Sequence, residues 1–138
     1  MTTSARKLFV NLAVRDLDKS KAFFSKLGFE FNPDFTDENA ACMIVSDQSF
    51  VMLLAEPFFK GFTKRQIADT STTTEALLAL SGDSREEVDA LVATAVDAGG
   101  ALAMDPQDHG FMYVRSFHDL DGHHWEIFWM DPAAQKQG

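Results

Sequence analysis

Cysteine is almost absent from the 138-residue chain: Cys42 stands alone. No intrachain disulfide can form and no multi-cysteine zinc site can be built, so a reducing compartment, the cytoplasm, is the expected location. Basic residues are scarce as well, 12 Lys plus Arg against 21 Asp plus Glu, for a formal charge of -9. That sign repels a phosphate backbone, and nucleic acid is not an expected partner. Long apolar runs are missing too. The longest, Phe50 to Ala55, is far too short to cross a bilayer, and no apolar stretch follows Arg6 and Lys7 as a secretion signal requires, so no membrane partner is expected. Tyrosine occurs once, against 13 Phe and 2 Trp, and that many rings must line something. Hydrophobic residues make up 46% and charged ones 24%. This balance excludes disorder, collagen and coiled coil and leaves one soluble domain, able to bury about two-thirds of its unfolded surface.

Leu8, Val10, Leu12 and Val14 alternate with Phe9, Asn11 and Ala13, the period of a strand with two different faces. Asp16 or Asp18 can cap a helix starting near Lys19 and ending at Gly28. Three strand-like runs follow: Phe29 to Asn32, Ala40 to Ser46 and Ser49 to Ala55. The same order then returns. Glu75 to Ser81 reads as a strand, and Ser84 with Glu87 reads as a capping box opening a helix that stops at Gly99 and Gly100. Strands are expected over Ala101 to Met104, Phe111 to His118 and His123 to Met130. The chain therefore reads as one domain over 1–138, an α+β duplication: module one over 7–55, module two over 75–131 and a fraying tail over 132–138. The connector over 56–74 sets Phe58, Phe59 and Phe62 beside Lys60, Lys64 and Arg65. It reads either as a linker covering a sheet edge or as a lid over a pocket, the former being favoured.

Val14 to Ser20, Phe23-Phe24, Leu27-Gly28-Phe29 and, later, Phe117-His118-Asp119-Leu120-Asp121-Gly122 with Trp125-Glu126 carry a resemblance. In this order and duplication they resemble the vicinal oxygen chelate superfamily, which includes glyoxalases, extradiol dioxygenases and fosfomycin- and bleomycin-resistance proteins. The resemblance implies two βαβββ modules that form a curved mixed sheet around a pocket, and a homodimer. It also implies three or four metal ligands on the first and last strands of each module, where a divalent ion polarises substrate oxygens. Glu126 matches the last of these positions. Phe9 occupies the first, and a phenyl ring cannot ligate; Met52 to Leu54 fill another without a hard donor; Glu75 or Ala76 falls at the fourth. The family's usual centre is therefore expected to hold no ion, while one divalent ion at a shifted site would fall to Glu126, Glu75 and His124. His109 and His118 are further candidates.

The expected cavity carries Glu126, either as catalytic base or as a hydrogen-bonding residue held by strand amides or Asn11, with Phe9, Asn11, Met52, Leu54, Tyr113, Arg115 and Phe128 contacting a small-molecule ligand. Asn11 is the odd polar side chain of its strand and either makes a structural hydrogen bond or touches ligand. Arg115 either holds an anionic group or forms a surface ion pair. Cys42 is expected to be a buried, inert thiol. Two functions follow from these residues. One is a glyoxalase-like lyase or an extradiol-dioxygenase-like enzyme with a degenerate metal site. The other is a metal-free binding protein of the bleomycin-resistance kind, holding a flat molecule between rings.

Overall fold

The computed structural model describes residues 6–135. Packing divides the chain into two units, one running to Ile67 and the other from Ala68. The division falls inside the connector.

In the first unit, strand β1 (Leu8–Val14) is followed by helix α1 (Leu17–Lys26), strand β2 (Glu30–Phe31), strand β3 (Ala40–Ile44) and strand β4 (Ser49–Ala55). Asp16 caps α1 by accepting from the Lys19 amide, and Gly28, at φ +101, takes the left-handed turn that ends it. The sheet is open, in the order β1-β4-β3-β2, with β1 and β4 parallel and the other pairs antiparallel. Leu12, Val14, Ala41, Met43 and Leu53 form its buried face with Phe23 and Phe24 of α1, whose rings meet edge to face at 4.9 Å. Burying these side chains is the main stabilising term of the unit. A short helix α2 (Glu56–Phe59), with Pro57 in its first turn, leads into a single tighter turn at Lys60–Phe62. The connector thus begins helical and then becomes irregular.

The second unit holds strand β5 (Leu77–Ser81), helix α3 (Arg85–Asp97), the two-residue strands β6 (Ala101–Leu102) and β7 (Gln107–Asp108), strand β8 (Met112–His118), strand β9 (His124–Met130) and helix α4 (Pro132–Gln135). Its sheet is also open, in the order β5-β9-β8-β6, with β7 on β8 and β5 parallel to β9. Ser84 accepts from the Glu87 amide, but Glu87 reaches back to the Asp83 amide, one residue earlier than the expected box. Val88, Val92 and Ala95 of α3 pack with Phe117, Trp125 and Ile127. β7 and α4 were not foreseen, and the part of the expected fraying tail beyond residue 135 lies outside the described residues.

The hairpin between β8 and β9 is tied by one carboxylate. Asp119 is buried and accepts from the amides of Asp121 and His123 and from the indole Nε1 of Trp125 at 2.9 Å. Burial nevertheless pushes its carboxyl up, against the pull of His123 and these donors. Gly122 turns at φ +87, and a Cβ there would collide with the carbonyl oxygen of Thr70. The Thr70 hydroxyl in turn donates to the Asp121 carbonyl. The Asp-Leu-Asp-Gly sequence is thus the device that sets the register of β9 and, with it, the direction of each β9 side chain.

Candidate functional site

Register decides which side chains meet. His118 pairs with His124 across the hairpin, so Ser116 stands opposite Glu126 and Val114 opposite Phe128. On the other side of β9, Leu77 faces His124 and Ala79 faces Glu126. His124, Glu126 and Phe128 therefore share one face with Leu77, Val114 and Ser116. That face opens on a cavity of about 240 Å³ lined by Leu77, Met104, Asp105, Gln107, Val114, Ser116, His124 and Glu126.

The cavity has an unsatisfied polar atom at its wall. The His124 side chain is only 10% exposed, its Nε2 has no hydrogen-bond partner, and the Glu126 Oε2 lies 3.6 Å away, beyond hydrogen-bond reach. A buried ring nitrogen left without a partner costs free energy, about 1 to 3 kcal/mol, that a bound polar group would recover. Glu126 is about one-third exposed and faces the same space. Ser116 is buried, and its Oγ is occupied in accepting from the Met104 amide, which fastens the cavity's far wall to β8.

Glu126 and His124 are thus brought together as expected, with Phe128 on the same face of β9. Glu75 does not join them: its Oε1 lies 3.3 Å from Nδ1 of His123. Among the described residues no group of three His, Cys, Asp or Glu side chains converges as a metal site would require. The donors present do not fit a resident divalent ion, since His124 and Glu126 would leave most of its coordination sphere to water. His118 meets His124 ring to ring at 5.4 Å, and His109 lies beside Phe111, away from the pair.

Tyr113 and Arg115 point the other way from Glu126, which corrects their expected place in the cavity. The Tyr113 hydroxyl donates to Asp89 of α3 at 2.6 Å and Arg115 pairs with the same carboxylate at 3.1 Å, which holds Asp89 below the ordinary carboxylate range. The guanidinium of Arg85 lies 5.1 Å from the ring centres of both Tyr113 and Trp129. It also grips Asp108 with two nitrogens, at 2.8 and 2.9 Å, and lowers that carboxyl to about 2. These groups clamp α3 to the sheet.

Of the first unit's expected residues, Phe9, Asn11, Met52 and Leu54 do lie on one face, because Phe9 pairs with Phe50, Asn11 with Met52 and Ala13 with Leu54. Phe9 and Phe50 stack at 4.8 Å, and Phe9 is 46% exposed. Asn11 is exposed and donates to the Phe9 carbonyl, the local structural bond that was one of its two expected roles. Cys42 is buried, and burial raises its thiol.

The residues that sequence reasoning missed are Ser116, Asp105 and Gln107. Ser116 carried a usable signal: counting back through the Asp119–Gly122 turn puts it, not Arg115, opposite Glu126.

Comparison with known proteins agrees with this architecture. Residues 6–46 match the family model described as bleomycin resistance protein-like N-terminal. The chain superposes on a hypothetical protein, SA1046, from S. aureus with a TM-score of 0.76 and 29% identity, covering 94% of this chain and 95% of that one. A glyoxalase/bleomycin resistance protein/dioxygenase family enzyme from Burkholderia phytofirmans gives 0.73 at 21% identity, over 88% and 96%. The fosfomycin resistance protein FosX from Mesorhizobium loti gives 0.66 at 12%, over 99% of each chain. The chain shares the fold of these glyoxalase/bleomycin resistance/dioxygenase and fosfomycin resistance proteins, the fold of the vicinal oxygen chelate superfamily. No curated protein sequence matches it. Proteins of this superfamily share an architecture and differ in chemistry, so activity must be argued from the site. No helix among the described residues is long and apolar enough to cross a membrane.

Proposed function

We propose that this protein takes a small organic molecule into the cavity beside β9, with Glu126 as the base that accepts its proton and His124 as the group that orients it. One observation carries the reading: His124 and Glu126 both line the cavity, and the buried Nε2 of His124, 3.6 Å from the Glu126 carboxylate, has no protein partner. A carboxylate next to an unsatisfied imidazole suits a ligand with an acidic C–H or O–H next to a carbonyl or hydroxyl oxygen, which the ring would hold by a hydrogen bond. No metal-borne step is invoked, because the donor set does not fit one.

A thermal-shift screen with glutathione hemithioacetals, catechols, fosfomycin and planar cationic drugs tests it. At least one class raises the melting temperature of the wild-type protein, and both Glu126→Gln and His124→Gln abolish the rise while remaining folded. A rise that survives both substitutions removes Glu126 and His124 from the site. Turnover of the same compound, lost in Glu126→Gln, separates catalysis from binding.

A second reading, metal-free sequestration in the manner of the bleomycin-resistance members, draws support from the stacked and partly exposed Phe9 and Phe50. Under it, Phe9→Ala removes the melting shift given by planar drugs and no turnover is seen. The protein is further proposed to be a cytoplasmic homodimer. Support comes from the single, buried Cys42 and from the exposed apolar side chains of Leu8 and Phe9, and light scattering at micromolar concentration reads the mass directly.

A further inference from the structure

A second cleft lies wholly within the first unit, outside the proposed site. It is open to solvent, measures about 620 Å³ and is lined by Glu56, Lys60, Thr63, Lys64, Arg65 and Gln66 among others. Three of the chain's 12 basic residues fall within these six positions, although the whole protein carries a formal charge of -9. Among the described residues none of the three makes an ion pair: the acids that neutralise cations elsewhere, Asp89 and Asp108, are engaged with Arg115 and Arg85. The one carboxylate lining the cleft, Glu56, is not within pairing distance of any of them.

These cations sit close together on one short segment of chain: the tight turn at Lys60–Phe62 continues directly from α2, and the Thr63 hydroxyl accepts from the Arg65 amide just beyond it. Like charges brought together without counter-ions repel, and the arrangement costs free energy that a bound anion would relieve. At physiological salt the acids elsewhere on the surface are screened beyond about 8 Å, so an anion in the cleft meets chiefly these three cations and the single carboxylate of Glu56.

From the cleft and its unpaired cations we infer that this is a binding site for a small organic polyanion bearing clustered phosphate or carboxylate oxygens. Arg65 offers a planar pair of donors to two such oxygens, the lysines act as point charges, and Glu56 accepts from a hydroxyl or amino group on the same ligand. The exposed Phe58 and Phe62, packed edge to face at 5.2 Å, do not line the cleft. They make an anionic membrane surface the rival occupant, but a concave cleft of this volume favours a soluble ligand.

Isothermal titration of the full chain with pyrophosphate and, separately, with citrate at matched ionic strength tests the inference. Saturable one-site binding is expected with at least one of them, and which one tells phosphate from carboxylate chemistry. Lys64→Gln with Arg65→Gln weakens it about tenfold or more, whereas Glu126→Gln leaves it unchanged, so this site and the β9 cavity fail independently. Circular dichroism confirms that the double variant is folded, and Lys60→Gln alone provides a milder second variant. Absence of saturable binding by both anions, or binding that survives the double substitution, overturns the inference. So does tight binding to phosphatidylserine vesicles, lost in Phe58→Ser with Phe62→Ser, if neither small anion binds.

Discussion

Gly122→Ala isolates the turn that aims Glu126 and His124. Two costs add. At φ +87 an alanine pays about 1 to 2 kcal/mol for the left-handed conformation. Its Cβ would also collide with the Thr70 carbonyl oxygen and stand 2.8 Å from the Thr70 carbonyl carbon, against a practical limit of 3.0 Å. Those are backbone atoms, so no side chain can swing aside. Either the segment around Thr70 withdraws, with loss of the bond from the Thr70 hydroxyl to the Asp121 carbonyl, or the hairpin opens. Overpacking contributes about 1 to 3 kcal/mol and the lost bond about 1, for an expected total of about 3 to 6 kcal/mol. Gly28→Ala is the matched control, since Gly28 sits at φ +101 with nothing within 4 Å of the place a methyl group would take, and it pays the conformational cost alone. Urea denaturation of both variants measures the difference. Equal destabilisation of the two would show that Thr70 does not press on Gly122, and the collision invoked for the turn would be wrong.

Three further outcomes are expected. Because burial raises the Asp119 carboxyl, its contribution to folding is present below the ordinary carboxylate range and is lost as pH rises through its raised value. The stability of wild type relative to Asp119→Asn therefore falls between acid and neutral pH, and a rise would mean that its three donors outweigh burial. Asp108 behaves in the opposite sense: held at about 2 by Arg85, it stabilises the fold above its unfolded value near 4, and that share disappears as pH falls toward 2. Acid unfolding of Asp108→Asn should lack this component. Tyr113→Phe removes only the bond to a half-exposed Asp89, so urea titration should show a loss of about 0.5 to 1 kcal/mol with ligand response in the β9 cavity unchanged. A changed ligand response would return Tyr113 to the site.

Much of the fold was legible because its long strands alternate. Leu8–Val14 and Ser49–Ala55 run as read, and Asp16, Gly28 and Ser84 bound their helices as capping chemistry requires. Gln107–Asp108 was not legible: two polar residues after Pro106 carry no period, and they form a strand only because β8 offers them an edge. The pairing of Glu126 with His124 followed from strand parity alone. The placement of Arg115 failed for the same kind of reason, since parity within one strand says nothing of its neighbour until the turn is counted, and one residue's difference moves every side chain to the opposite face. Glu75 was placed on a strand that starts two residues later, at Leu77, and its carboxylate went to His123 instead. No pattern along the chain reveals a contact of that kind.

A ligand entering beside β9 would meet, in His124 Nε2, a buried imidazole nitrogen for which the protein supplies no hydrogen-bond partner. A crystal structure of the protein with the compound that stabilises it most in the thermal-shift screen is the most direct measurement. A ligand oxygen or nitrogen within hydrogen-bond distance of His124 Nε2, with Glu126 against the same molecule, is the expected result; a ligand seated elsewhere, with that nitrogen still unpartnered, would contradict it.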